Sequence, residues 1–267
     1  MYVKNRNLKK SLFNFLEGFV ENIAHRGFSG KYPENTLIAF QKAIEIKADM
    51  IELDVTLSKD RIPIIIHDDT LERTTNGKGK IRNTSFKKLR ELDAGSWKNI
   101  KFKNEKIPTL EEVLLLIKKR KIKLNIEIKK SAYDKKLSNS CIEKKTITLI
   151  QKYNLINRIV ISSFEPKILL RLRKLSSKIK LALLIDPDFA KLKIDPIAFT
   201  KQIRGVSLNM HKSQINSSIF DNAKKQRIPI YIYTINSEKE MLNAIDANIS
   251  GIFTNFPDRL KEIESKV

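Results

Sequence analysis

MIELDVTLSKDRIPIIIHDDTLERTTNGKGKI, residues 50–81, decides the fold. Its first eight residues read as a strand. Glu52 and Asp54 stand two apart and project from one face, while Ile51, Leu53 and Val55 project from the other. A further apolar run at 62–67 predicts an extra strand, and Asn76-Gly77 and Lys78-Gly79 are turn signals. The next helical pattern begins only at residue 110. Residues 68–107 therefore form an insertion, and long irregular insertions in compact chains are usually functional.

Outside this stretch, short β-rich runs alternate with helical patterns. Strands are expected at 22–25, 50–57, 123–128, 158–162, 180–185, 205–209, 229–234 and 251–254. Helices are expected at 35–46, 110–119, 138–153, 166–175, 194–202, 217–226, 238–245 and 257–265. This order predicts an α/β chain, a (β/α)8 barrel with a small inserted subdomain after the second strand. A doubly wound sheet would place a Gly-rich turn after the first strand, and none is present. The simplest organisation is one domain over residues 1–267, with an N-terminal extension at 1–20. In that extension Leu12, Phe13, Leu16, Phe19 and Val20 share one side of an amphipathic helix. Asn14 and Glu17 interrupt the apolar run, and no small-residue cleavage site follows, so it does not read as a signal peptide. It can plug the bottom of the fold, or rest on a membrane surface through Lys4, Arg6, Lys9 and Lys10.

The formal net charge is +22, which attracts anions. The lysines are scattered along the whole chain, as on a solvated surface, and no aromatic-interleaved basic block points to nucleic acid. No stretch is long and apolar enough to span a bilayer. The single cysteine, Cys141, excludes an intramolecular disulfide and fits a reducing, cytoplasmic setting. It reads as a packing residue in a helix.

The strand ends carry the chemistry. His25 and Arg26 end the first strand, and Glu127 and Lys129 in NIEIK repeat the pattern of Glu52 and Asp54. Barrel active sites are built at this C-terminal face, so three carboxylates converge on the mouth. Such a cluster needs raised carboxylate pKa values or a cation. All-oxygen ligands suit Mg2+ or Ca2+; a salt-bridge network with Arg26 and Lys129 is the alternative. His25 and His67 flank the cluster and can form an acid–base pair. A cation with Arg26 or Lys129 would stabilise negative charge on a phosphodiester. His211 lacks such a context and reads as a loop residue.

AHRGFSGKYPENTLIAF, IELDVTLSKDRIPIIIHDDTLERTTNGKGKI, LDAGSW, IPTLEEVL, NIEIK, ISSF, IYIYTIN and GIFTNFPD occur in that order. This series, from Ile23 to about Leu260, resembles the glycerophosphodiester phosphodiesterase family. The resemblance implies a (β/α)8 TIM barrel with an inserted subdomain. It implies His25 and His67 as the catalytic pair, Glu52, Asp54 and Glu127 as ligands of Mg2+ or Ca2+, and Arg26 and Lys129 as phosphate contacts. The implied reaction gives sn-glycerol 3-phosphate and an alcohol. Two positions depart from the family's pattern: Tyr233 replaces a frequent Trp and Asn255 a frequent Asp, both expected at the substrate pocket. The expected partner is a small glycerophosphodiester. A lysophospholipase D-type activity at a membrane surface is the second reading, and a basic nucleic-acid-binding barrel the third. The third leaves the carboxylates without a purpose.

Overall fold

The computed structural model describes residues 20–265. Its strands are β1 (Glu21–Ala24), β2 (Met50–Leu57), β3 (Pro63–Ile65), β4 (Lys123–Ile128), β5 (Ile159–Ser163), β6 (Lys180–Ile185), β7 (Ser207–His211), β8 (Ile230–Tyr233) and β9 (Gly251–Thr254). Its helices are α1 (Leu37–Glu45), α2 (Phe86–Glu91), α3 (Leu110–Lys118), α4 (Ile142–Lys152), α5 (Pro166–Leu175), α6 (Pro196–Gln202), α7 (Ser218–Lys225), α8 (Glu238–Asp246) and α9 (Pro257–Ser265). β1 pairs in parallel with both β2 and β9, which closes eight parallel strands into a barrel. β3 is the extra strand and pairs antiparallel to the end of β2. The (β/α)8 TIM barrel is the fold.

Alternation along β2 sorts its side chains as the period of two requires. Ile51, Leu53 and Val55 are fully buried in the apolar layer against the helices. Glu52 and Asp54 turn to the barrel axis, which is polar over much of its height. Asn125 donates to Ser162 there, at 3.0 Å, and Ser207 donates to Asn209 at 2.8 Å. Near the N-terminal ends of the strands, Glu21 accepts from Lys123 at 2.7 Å and from the Tyr231 hydroxyl at 2.6 Å. A barrel filled this way gives up some apolar packing and gains a wet, charged mouth.

The insertion has a small apolar cluster of its own, with Ile66, Leu71, Ile81, Leu89 and Ala94 buried together. It is tied to the barrel by an ion pair from Arg82 to Asp134, in the loop after β4, with which Arg61 of the β2–β3 turn also pairs. α3 then starts on a capping box. Thr109 accepts from the Glu112 amide and the Glu112 side chain accepts from the Thr109 amide, an arrangement worth about 1 kcal/mol.

Most element boundaries lie within one or two residues of their expected positions, and two of the differences change a residue's place. α4 starts at Ile142, not 138, and buried Cys141 sits at its N-cap position. β7 runs to His211, two residues beyond the expected end, so His211 is a strand residue at the mouth and not a loop residue. Met210 and the residues paired with β8 extend the ladder that far. The amphipathic helix expected at 1–20 lies outside the described residues except for Val20, which is buried. Among the described residues, no helix is long and apolar enough to cross a membrane.

Candidate active site

The turn after β1 begins the site. Arg26 adopts a left-handed φ of 55° and Gly27 one of 78°. A Cβ at Gly27 would lie 2.7 Å from the carbonyl carbon of Ala39 in α1, so only glycine lets the turn press against that helix. This aims the Arg26 amide at Glu52 Oε2, 2.9 Å away. Asn35, also left-handed, bonds Asp54 twice: its Nδ2 donates to Oδ2 at 2.9 Å, and its Oδ1 accepts from the Asp54 amide at 3.3 Å.

Glu52, Asp54 and Glu127 each offer an oxygen within 4.8 Å of the others. Two cations face them. Lys129 donates to Glu127 Oε1 at 2.8 Å and lies 3.4 Å from Asp54 Oδ1; Arg26 Nε lies 3.3 Å from Asp54 Oδ2. The compensation is uneven. Burial would raise the Asp54 carboxyl, but Lys129 and Arg26 hold it well below the usual range. Burial, Asp54 and Glu127 push Glu52 well above it, against Arg26. Burial also raises Glu127, with Lys129 opposing and Asp54 adding. The salt-bridge network is therefore real but incomplete, and the donor set that remains is all oxygen, as a hard divalent cation requires.

His25 and His67 stand on either side. His25 Nδ1 lies 2.7 Å from Asn255 Oδ1, which also accepts from the Ser29 hydroxyl at 3.0 Å. An amide oxygen can only accept, so Nδ1 carries the proton and Nε2, 4.0 Å from Glu52 Oε2, is the free nitrogen. Burial and the neighbouring Arg26 push the His25 imidazole down to about 4, so the ring is neutral at pH 7. His67 Nδ1 lies 2.7 Å from Asp68 Oδ1. Hydrogen bonds from Arg73, against partial burial, keep Asp68 ionised with a pKa of about 2. Arg73 also grips Glu34 at 2.8 and 2.9 Å, and Glu34 accepts from Arg26 at 2.8 Å. One chain of charges thus links the two histidines through Arg26, Glu34, Arg73 and Asp68.

His25, Arg26, Glu52, Glu127 and His67 line a cavity of about 410 Å3, a volume suited to a small ligand. Asn125, Phe164, Leu184, His211, Lys212, Tyr233, Thr234 and Phe253 complete its wall. Lys129 and Asp54 lie behind this lining. Tyr233 forms an aromatic wall, edge-on to Phe164 at 5.9 Å and to His211 at 5.8 Å, while its hydroxyl donates to the Ile185 carbonyl at 2.7 Å. Asn255, expected in the substrate pocket, sits behind His25 as its hydrogen-bond partner. Glu34 and Asn35 lie within the PENT motif, and Asp68 and Arg73 within DDTLERTT, yet their pairing across the mouth has no local sequence signal. Asn125 was not among the expected site residues; its position two before Glu127, on the same strand face, is the signal that points to it. His211 lies two residues past the β-rich run, and only pairing with Tyr233 brings it to the mouth.

The neutral partner of His25 gives a direct test. A carboxylate at position 255 would favour the charged ring, so Asn255→Asp is expected to raise the His25 pKa from about 4. NMR titration of the ring in chelator measures this. An unmoved titration would show that Asn255 does not set it.

The sequence profile of the "Glycerophosphoryl diester phosphodiesterase family" matches residues 25–259. A glycerophosphodiester phosphodiesterase of Caldanaerobacter subterraneus subsp. tengcongensis is 36% identical over 244 residues, 91% of this chain and 97% of that protein. One from Bacillus altitudinis is 37% identical over 250 residues, 91% and 98% of the two chains. Among solved structures, an Oleispira antarctica phosphodiesterase in complex with the product sn-glycerol-3-phosphate superposes with a TM-score of 0.79 at 29% identity, covering 91% of this chain and 96% of that one.

Proposed function

Because this chain belongs to the glycerophosphoryl diester phosphodiesterase family, and is an enzyme that hydrolyses glycerophosphodiesters to glycerol 3-phosphate, we propose that His25 and His67 carry its proton transfers and that Glu52, Asp54 and Glu127 hold a divalent cation. The observation that carries this reading is the convergence of three carboxylate oxygens within 4.8 Å, two of them, from Glu52 and Glu127, on the wall of a cavity that both histidines also line. When bound, Mg2+ or Ca2+ would supply positive charge that polarises the phosphoryl group.

The chain's own residues do the rest. Arg26, whose guanidinium is kept charged by Asp54, Glu34 and Glu52 in spite of its burial, binds a phosphoryl oxygen from the cavity wall. Lys129, likewise charged, steadies Glu127 and Asp54 and adds positive potential to the phosphate. His25 Nε2 is neutral and free, which suits it to take a proton from the attacking hydroxyl, that of water or the substrate's own, as its oxygen bonds to phosphorus. The P–O bond to the alcohol then breaks, and His67 Nε2 delivers a proton to the departing oxygen. Ionised Asp68 holds the other nitrogen of that ring and fixes its orientation. Tyr233 and Phe164 give the organic part of the substrate an apolar wall.

Incubation with glycerophosphocholine is expected to release glycerol 3-phosphate and choline. Chelator should stop turnover, and Mg2+ or Ca2+, added separately, should restore it. Release of free glycerol and phosphocholine, or turnover unaffected by chelation, would overturn the assignment.

A further inference from the structure

Among the described residues, six large apolar side chains are exposed: Trp97, Ile100, Leu115, Leu137, Leu192 and Val206. Four of them lie on loops that follow barrel strands and therefore share the face that carries the cavity. Trp97 (37% exposed) and Ile100 (72%) belong to the insertion, Leu137 (47%) to the loop after β4, and Leu192 (45%) to the loop after β6.

The same loops repeat one local pattern, an exposed apolar residue beside exposed lysines. In the insertion Lys101 and Lys103 follow Ile100; Lys135 and Lys136 precede Leu137; Lys191 and Lys193 bracket Leu192. Only Lys191 of these six has a carboxylate partner among the described residues, Asp188 at 2.8 Å. The first two loops form one continuous rim, since Arg82 of the insertion donates to the Ser131 carbonyl at 2.6 Å. The insertion is also fastened to the mouth itself, where Lys98 donates to the Ser29 carbonyl at 2.9 Å.

We propose that these three loops form a docking surface for an anionic lipid bilayer, with Trp97, Ile100, Leu137 and Leu192 entering the interface and the flanking lysines meeting lipid phosphates. The physical case is the pairing of the two features. Lysine alone would suit any polyanion, but an aromatic ring and branched aliphatic side chains left in water beside each basic cluster suit a surface that is charged outside and apolar beneath. Docking by this rim would turn the cavity toward the bilayer. A lysophospholipid, itself a glycerophosphodiester-like molecule at the bilayer surface, would then reach the site without leaving the membrane. That consequence rests on the proposed function; the docking does not.

The opposite end of the barrel offers an internal control. A basic groove of about 790 Å3 there is lined by Lys47, Arg120 and Lys121, and among the described residues its lining includes no exposed large apolar side chain. Trp97 is the only tryptophan in the chain, so its fluorescence reports the rim alone.

The experiment uses the full chain with phosphatidylglycerol-rich vesicles and with pure phosphatidylcholine vesicles at low salt. Emission of Trp97 is expected to move to shorter wavelength, and to be quenched by acyl-chain bromines, only with the anionic vesicles. Replacing Lys101, Lys135 and Lys193 by Gln should weaken binding about a hundredfold, from the loss of three surface cations. The triple variant Ile100→Asp, Leu137→Asp, Leu192→Asp should lose binding while hydrolysing a water-soluble diester at the unaltered rate, which also shows that it folds. Three results would overturn docking by the rim: no binding to anionic vesicles, binding with Trp97 emission unchanged, or binding lost in Lys47→Glu, Arg120→Glu, Lys121→Glu but kept in the rim variant. Fluorescence does not depend on turnover, so failure of the catalytic reading would leave a distinct signature.

Discussion

Glu52→Gln is expected to raise the stability of the metal-free protein while lowering its activity roughly 10³-fold, the scale of losing one preorganised charge at a reaction centre. The two effects share one cause. Glu52 is 2% exposed and faces two other buried carboxylates, with the Arg26 amide as its hydrogen-bond donor. Like charges at such a separation repel by a few kcal/mol at an effective dielectric of about 20, and partial protonation relieves some of this. Removing the charge should therefore stabilise the chelated protein by about 1–3 kcal/mol, or several degrees in Tm.

The pH dependence follows the same signs. The folded pKa values of Glu52 and Glu127 are raised above 4.5. Their stabilising contribution is full below that value and is lost as pH rises through the raised folded values. Asp54 is lowered from 3.8, so its contribution is present above that and is lost as pH falls through its folded value. Chelated wild-type protein should thus lose stability from about pH 4.5 toward neutrality, and Glu52→Gln should lose less. Added Mg2+ or Ca2+ should stabilise wild-type protein more at pH 7 than at pH 5, because protons compete for the same oxygens. Scanning calorimetry with and without chelator reads all of this. A variant less stable than wild type in chelator, yet still active, would remove the carboxylate cluster from the mechanism.

His25→Ala and His67→Ala should each lower kcat by about 10³-fold on a choline ester, within the range for lost acid–base catalysis. They should part company on a nitrophenyl ester. That leaving group departs without a proton, so His67→Ala is expected to recover most of its rate and His25→Ala to recover little. If His25 takes the proton as proposed, its neutral ring is the working form, and kcat/KM should fall as pH drops through about 4. Recovery in the opposite order would exchange the two assignments. Equal loss on both esters would mean that His67 positions the phosphate and does not move a proton.

Most of what surrounds His25 could not be read from its neighbours in sequence. Its hydrogen-bond partner Asn255 is 230 positions away and arrives only because β9 pairs with β1, matching Thr254 to Ala24. Sequence reading placed Asn255 at the pocket as a lost charge; closure of the barrel places it behind the ring, where the missing charge helps keep His25 neutral. His211 shows the same limit in a different way. The β-rich run at 205–209 ends before it, yet pairing with β8 carries the ladder to the mouth.

The sequence by itself determined the order of strands and helices, the insertion, and that Glu52 and Asp54 share one face of their strand. Those depend on local sterics and on a period of two, which each short segment encodes in its own residues. Only the tertiary structure decided which carboxylate goes uncompensated, which histidine is neutral, how Glu34 and Arg73 join the two histidines, and that the exposed apolar residues share a face with the cavity. These depend on desolvation and on distances across the closed barrel, and neither quantity exists until strands far apart in the chain are brought together.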